Sequence, residues 1–200
     1  MRKWLIPVGV VVILVLMSIS SYNGLVGVQA DAKTAWSKVE SAYQRRNDLI
    51  GNLVKVVQKA ANYEKGTLTA VVEARAKATS ITIDPANATP EQMAQFQQAQ
   101  EGLKGSLSRL LVSVEKYPEL KATEGFKELQ SQIEGTENRI NVERDRFNDA
   151  VNLYDQKTKK FPSVIFAKLF GFNEMNRFKA DAGAEKAPDV DQYFDKTETK

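Results

Sequence analysis

The sequence predicts an all-α protein: a single N-terminal transmembrane helix followed by an up-and-down helical bundle of three or four long helices. Three observations carry that expectation. An uncharged apolar run extends from Trp4 to Ser20 behind Arg2 and Lys3. Each later segment repeats apolar residues at three-four spacing. The prolines confine the breaks to a few loops.

Trp4 to Ser20 covers roughly 25 Å as a helix, close to the thickness of a bilayer core. Trp4 and Tyr22 flank it, where interfacial aromatics sit. Pro7 lies near its start, where a helix tolerates proline. A cleaved signal peptide is the rival reading. Ser18-Ile19-Ser20 is a poor cleavage site, and Val28-Gln29-Ala30 lies too far past the apolar run. An uncleaved anchor is therefore expected, with the lipid bilayer as its partner. Arg2 and Lys3 precede the span, whereas Asp31 comes before Lys33 after it. That bias favours a cytoplasmic N-terminus and a bundle outside the inner membrane. Residues 1–22 are thus the N-terminus and anchor, 23–179 the bundle, and 180–200 a polar tail expected to be mobile.

In the first bundle helix the apolar stripe is Trp36, Val39, Tyr43, Arg46, Ile50, Leu53, Val57 and Ala60. A neighbouring row of Ala32, Ala35, Ala42, Leu49 and Val56 widens it. Gly66 invites a break, with a second helix over 67–80. One glycine costs only about 1 kcal/mol, so an unbroken helix over 26–80 is the alternative. Residues 80–92 form a loop that ends in a helix start. There Thr89 can cap, Pro90 suits the first helical position and Gln92 completes a capping box. The next stripe is Met93, Phe96, Gln100, Leu103, Leu107, Leu110, Val114 and Tyr117, stopped at Pro118. The last long helix starts near Thr123-Glu124 and ends at Phe161-Pro162. Its stripe is Phe126, Leu129, Ile133, Thr136, Ile140, Glu143, Phe147, Ala150 and Tyr154.

Residues 161–172 are the most apolar stretch outside the anchor. Ser163 as cap and Gly171 as stop frame a short helix. It can close the bundle end as a lid. Alternatively Val164, Ile165, Phe166, Leu169 and Phe170 touch the membrane or a protein partner.

The composition suits a packed body behind the anchor. Hydrophobic residues make up 42% and charged residues 26%, and about 180 residues can bury a substantial core. A net charge of +3 gives no basis for nucleic-acid binding. The chain has no cysteine and no histidine. That excludes disulfides, thiol nucleophiles, Ser-His-Asp triads, zinc hydrolase motifs and the Glu-x-x-His di-iron bundle. No cofactor is expected, and no motif points to an enzyme built on Lys, Asp, Glu or Tyr.

Polar residues inside the seams are the informative exceptions. Arg46, Gln100, Thr136 and Glu143 fall on apolar stripes, with Glu137 beside them. A buried charge without a partner is very costly. If the first helix ends near residue 62 and runs antiparallel to the last, Arg46 stands level with roughly residue 138. Arg46, Glu137 and Glu143 are therefore a candidate buried polar network, with Glu137 the expected partner of Arg46. Such a pair fixes helix register. The competing readings are a polar ligand held between helices at Arg46, and an exposed Arg46 that snorkels. Arg139 and Glu143, four residues apart, can pair along one helix.

Several stretches together resemble the LemA family of bacterial membrane-anchored helical proteins. They are Tyr22-Asn23-Gly24-Leu25-Val26, Arg45-Arg46 with Asp48-Leu49-Ile50 and Asn52-Leu53, and Glu73-Ala74-Arg75-Ala76. Further on come Tyr117-Pro118-Glu119-Leu120-Lys121-Ala122, then Glu137 with Ile140, and Arg144 with Phe147-Asn148, Val151 and Tyr154. Phe161-Pro162 and Gly171-Phe172 complete the series in order. Gly51 stands where the family pattern usually has proline, so a kink there is not required. The resemblance implies a short anchor and an up-and-down bundle, and it supplies no catalytic residues. The expected role is an interaction module or envelope scaffold with a protein partner or self-association. A ligand sensor with its site near Arg46 is the alternative.

Overall fold

The computed structural model describes residues 5–59 and 65–179, and every regular element among them is a helix. These are α1 (Leu5–Gln58), α2 (Lys65–Thr79), α3 (Pro90–Val114), α4 (Pro118–Ala122), α5 (Glu124–Lys159) and α6 (Ser163–Phe170). α1 and α5 form the long antiparallel pair. Arg46 meets Glu137 near their middle, and Lys157 lies against Gly24 near the anchor end. α2 and α3 pack on each other and complete the bundle. The chain runs away from the anchor in α1, back in α2, away in α3 and back in α5.

Anchor and first bundle helix are one rod. α1 has 54 residues, a length of about 80 Å. Its first part exposes Leu5, Ile6, Val8 and every large apolar residue from Val10 to Leu16. None of its most apolar window is covered by the rest of the protein. From Leu25 to Val57 the same helix buries one face at three-four spacing. Trp4 lies outside the described residues. A single N-terminal helix of this length and apolarity fits a membrane anchor.

The bundle has four long helices, because α1 stops at Gln58 and α2 begins at Lys65. α1 thus ends a turn before the expected residue 62. Gly66 is not the break itself; it sits in the first turn of α2 with open space around it. Ala60, at the end of the expected stripe, and the tail 180–200 lie outside the described residues. At α3 the capping box forms: the Thr89 hydroxyl accepts from the Gln92 amide at 3.2 Å, and Gln92 Oε1 accepts from the Thr89 amide at 2.9 Å. Pro90 is the first helical residue.

Two local expectations need correction. The Tyr117-Pro118 break opens a further short helix, α4, because proline's fixed φ suits a first turn; Leu120 anchors it in the core. α5 begins at Glu124 with Thr123 in the cap position, at the expected helix start, and the Thr123 hydroxyl donates to the Leu120 carbonyl at 2.7 Å. Ser163 is the first residue of α6, with Pro162 in the cap position. Gly171 does end α6, in the left-handed region at φ 75°, where a side chain is disfavoured.

Two hydrophobic clusters fill the bundle. The one near the anchor is aromatic: Trp36, Tyr43, Phe96, Phe147, Tyr154 and Phe178. The far one is mostly aliphatic, with Leu53, Val57, Leu103, Leu110 and Ile133 among its members. α2 has only 15 residues and does not reach the aromatic end. The 80–89 loop covers part of it with Ile83 and Ala86. The rest is covered by residues 172–179, an irregular strap that folds back after Gly171.

Met175 and Phe178 of this strap are buried. The Phe178 ring stacks on Trp36 with centroids 5.6 Å apart and meets Phe147 edge-on at 5.7 Å. Asn148 brackets the Phe178 backbone, accepting from its amide at 2.9 Å and donating to its carbonyl at 3.2 Å. Arg177 pairs with the buried Asp155 at 2.7 Å. Helical periodicity assigns no core role to this segment, yet it closes the core. Phe178→Ala is expected to cost about 3 kcal/mol, and Asn148→Ala about 1 kcal/mol. Denaturant titration of the detergent-solubilised chain, followed by far-UV circular dichroism, measures both.

Candidate functional site

Arg46 sits on the packing stripe of α1 and is 3% exposed. Its Nη1 donates to Glu137 Oε2 of α5 at 2.8 Å. Its Nη2 donates to Gln100 Oε1 of α3 at 2.6 Å and to the Gln100 carbonyl at 3.4 Å. The guanidinium carbon lies 5.1 Å from the centre of the Tyr43 ring, in cation–π range. Gln100 in turn donates its Nε2 to the Ala78 carbonyl in the last turn of α2 at 3.2 Å. That carbonyl has no partner within its own helix. One guanidinium therefore links α1, α3 and α5 directly and α2 through Gln100.

A second tie lies beside it. Arg75 of α2 donates Nε to the Asn47 carbonyl of α1 at 2.8 Å. Its guanidinium rests over Gly51, where an added Cβ would stand 3.3 Å from Arg75 Cζ. α1 continues unbroken through this point. Gly51 therefore leaves room for Arg75 and, unlike a proline, imposes no kink.

Glu137 is half-buried and shared. Lys104 of α3 reaches its Oε1 at 2.9 Å while Arg46 holds Oε2. Burial pushes the carboxyl up, but the Lys104 hydrogen bond and the Arg46 charge outweigh it and hold Glu137 below its ordinary 4.5. Such a group stabilises the fold while ionised, and the contribution is lost as pH falls through its folded value.

The candidate network of Arg46, Glu137 and Glu143 is two separate features. Glu143 is 4% exposed and pairs with Arg146, three residues on, at 2.9 Å, rather than with Arg139. Its Oε2 is buried and accepts no hydrogen bond from the protein. Thr136 is buried and donates to the Gln132 carbonyl within its own helix. Arg45 is exposed. The signal that could have added Gln100 to the Arg46 layer is its place on the α3 stripe. Lys104 gives no comparable signal, because it lies on the exposed face.

The space beside Arg46, lined by Tyr43, Gln100, Glu101, Lys104 and Glu137, amounts to about 20 Å³. That admits one water molecule and is far below the few hundred Å³ of a ligand pocket. The site therefore gives no room to a ligand bound between helices at Arg46. At the bundle end away from the anchor, an open groove of about 630 Å³ is lined by Val56, Tyr117, Pro118 and Leu120, with Lys59 and Lys116 at its edge. Among the described residues no cluster of carboxylates could hold a metal ion. Val164, Ile165, Phe166, Leu169 and Phe170 lie on α6, at the anchor end of the bundle against Tyr22.

These features define a helical bundle carried on a long apolar N-terminal helix, its core divided by a closed polar layer. Residues 35–192 match the model of the LemA family, and the chain belongs to that family. It is similar to magnetosome protein MamQ of Magnetospirillum gryphiswaldense, with 26% identity over 174 residues, covering 78% of this chain and 64% of that protein. Magnetosome proteins MamQ 2 and MamQ 1 of Paramagnetospirillum magneticum are each 24% identical over 190 residues, covering 86% of this chain and 70% of theirs. The chain thus spans less than two thirds of the first of these relatives.

Glu137→Ala is expected to destabilise the bundle by about 2 kcal/mol, less than for a fully enclosed pair because Glu137 keeps 26% exposure. Arg46→Met should be milder, since Glu137 retains Lys104. Thermal melts of the two variants test this ordering. In the parent chain, stability should decline as pH drops below 4.5. Glu137→Gln should flatten that part of the profile.

Proposed function

We propose that this protein is a membrane-tethered interaction module or envelope scaffold, not an enzyme. The continuity of α1 carries the reading. One rod supplies the apolar span and the central packing helix of the bundle, so the bundle is presented at a defined position relative to the bilayer. The polar layer supports the same role, because both terminal nitrogens of Arg46 and the side chain of Gln100 are engaged across four helices. The groove beside Tyr117 and Leu120 offers a surface for a protein partner or a second copy. A sensor site at Arg46 has no comparable support, given the 20 Å³ beside it.

The proposed placement is a single pass through the inner membrane, N-terminus cytoplasmic and bundle outside, from Arg2 and Lys3 before the span. The cysteine-free chain makes the test direct. A Val112→Cys variant, exposed on α3, should react with a membrane-impermeant maleimide in spheroplasts before lysis. Reaction only after lysis would put the bundle in the cytoplasm. Lysine cross-linking of the native chain in membranes, read by mass spectrometry, should capture a specific protein or a second copy through Lys59 or Lys116. Recovery of an unlinked monomer throughout removes the interaction reading.

A further inference from the structure

α6 is more apolar than its place in the bundle requires. Of its eight residues only Ala167 is buried. Ile165 is 56% and Leu169 72% exposed, and Phe161, one turn before Ile165, is 81% exposed. Ile165 and Leu169, four residues apart, form one ridge along the helix, and Phe161 lies in the turn that leads into it. A row of large apolar side chains facing water is unfavourable and marks a contact surface.

The position of the ridge identifies what it contacts. Tyr22, just beyond the apolar span of α1, meets Phe170 edge-on with centroids 5.0 Å apart and Phe172 at 5.9 Å. α6 therefore lies at the level where α1 leaves its apolar segment. Lys157, Lys160 and Lys168 occur over residues 156–173, while Lys159 is paired with Glu174. Two copies meeting through this surface would bring like charges together. Anionic lipid headgroups would neutralise them. An apolar ridge bordered by lysines is the composition of a helix lying in the bilayer interface.

We propose that α6, with Phe161, is a second membrane contact, embedded in the headgroup–acyl boundary beside the emerging α1. The proposal rests on the reading of α1 as a bilayer-spanning anchor. Two attachments would fix both the tilt and the rotation of the bundle, which a single span leaves free.

Site-directed spin labelling tests it on the full chain, which has no native cysteine to remove. Val12→Cys, Ile165→Cys, Leu169→Cys and Val112→Cys variants are labelled with a nitroxide. They are then reconstituted in vesicles of phosphatidylcholine and phosphatidylglycerol. Collision rates are measured with oxygen, which partitions into lipid, and with a water-soluble nickel chelate. Labels at 165 and 169 should collide with oxygen and lose most collisions with the chelate, as at 12, while 112 shows the reverse. If 12 is lipid-exposed but 165 and 169 behave like 112, the α6 proposal fails and the anchor stands. Shielding of 165 and 169 from both reagents also overturns it, in favour of a protein contact. Chelate access at 12 removes the anchor itself, and α6 with it.

Discussion

A guanidinium buried in a helical core constrains everything around it. Arg46 can stay there only while both terminal nitrogens of its guanidinium are met, and the partners that meet them come from two other helices. Moving one helix by one residue shifts its side chains by about 1.5 Å along the axis and rotates them by a large fraction of a turn. The 2.6 and 2.8 Å contacts would not survive that shift. Against an all-apolar replacement such a pair adds little net stability, but it penalises every alternative register heavily. It also stands at the boundary between an aromatic and an aliphatic cluster.

Much of this was legible from spacing alone. The stripes of α1, α3 and α5 reappear as buried faces because amphipathic periodicity and burial have the same cause. The Arg46–Glu137 contact followed from one more step, the cost of an unpaired charge in an apolar seam. The parts that escaped lack periodicity. Phe178 is a single aromatic among polar neighbours, and nothing local shows that it stacks on Trp36, which lies far away in sequence. The end of α1 at Gln58 and the extra turn of α4 depend on how nearby residues pack. Glu143 sat on the same stripe as the predicted network, but its partner Arg146 is a neighbour on its own helix. A charge on an apolar stripe says that a partner is needed, not which one.

Membership of the LemA family fits a protein whose organisation is spent on placement more than on a pocket. Its central polar residues, Arg46, Gln100 and Glu137, bond to one another across the interior. Its less satisfied surfaces lie at the two ends: the groove near Tyr117 and the α6 ridge near Tyr22. The strap of residues 172–179 links α6 to the aromatic core through Phe178 and Asn148. The anchor end is thereby joined covalently and by packing to the most closely stacked part of the bundle.

The unbroken α1 has a mechanical consequence. From Tyr22 to Gln58 it forms a stiff arm of about 55 Å. Helix tilt in a bilayer responds to the mismatch between span length and hydrocarbon thickness. The apolar run here is barely long enough to cross, so it favours a steep, nearly upright pose in a bilayer of ordinary thickness. With no flexible joint at the surface, a change of about 10° in that pose would swing the distal groove by roughly 10 Å. A second contact at α6 would hold that pose, and the stiff arm would then keep the distal groove at a set height above the bilayer.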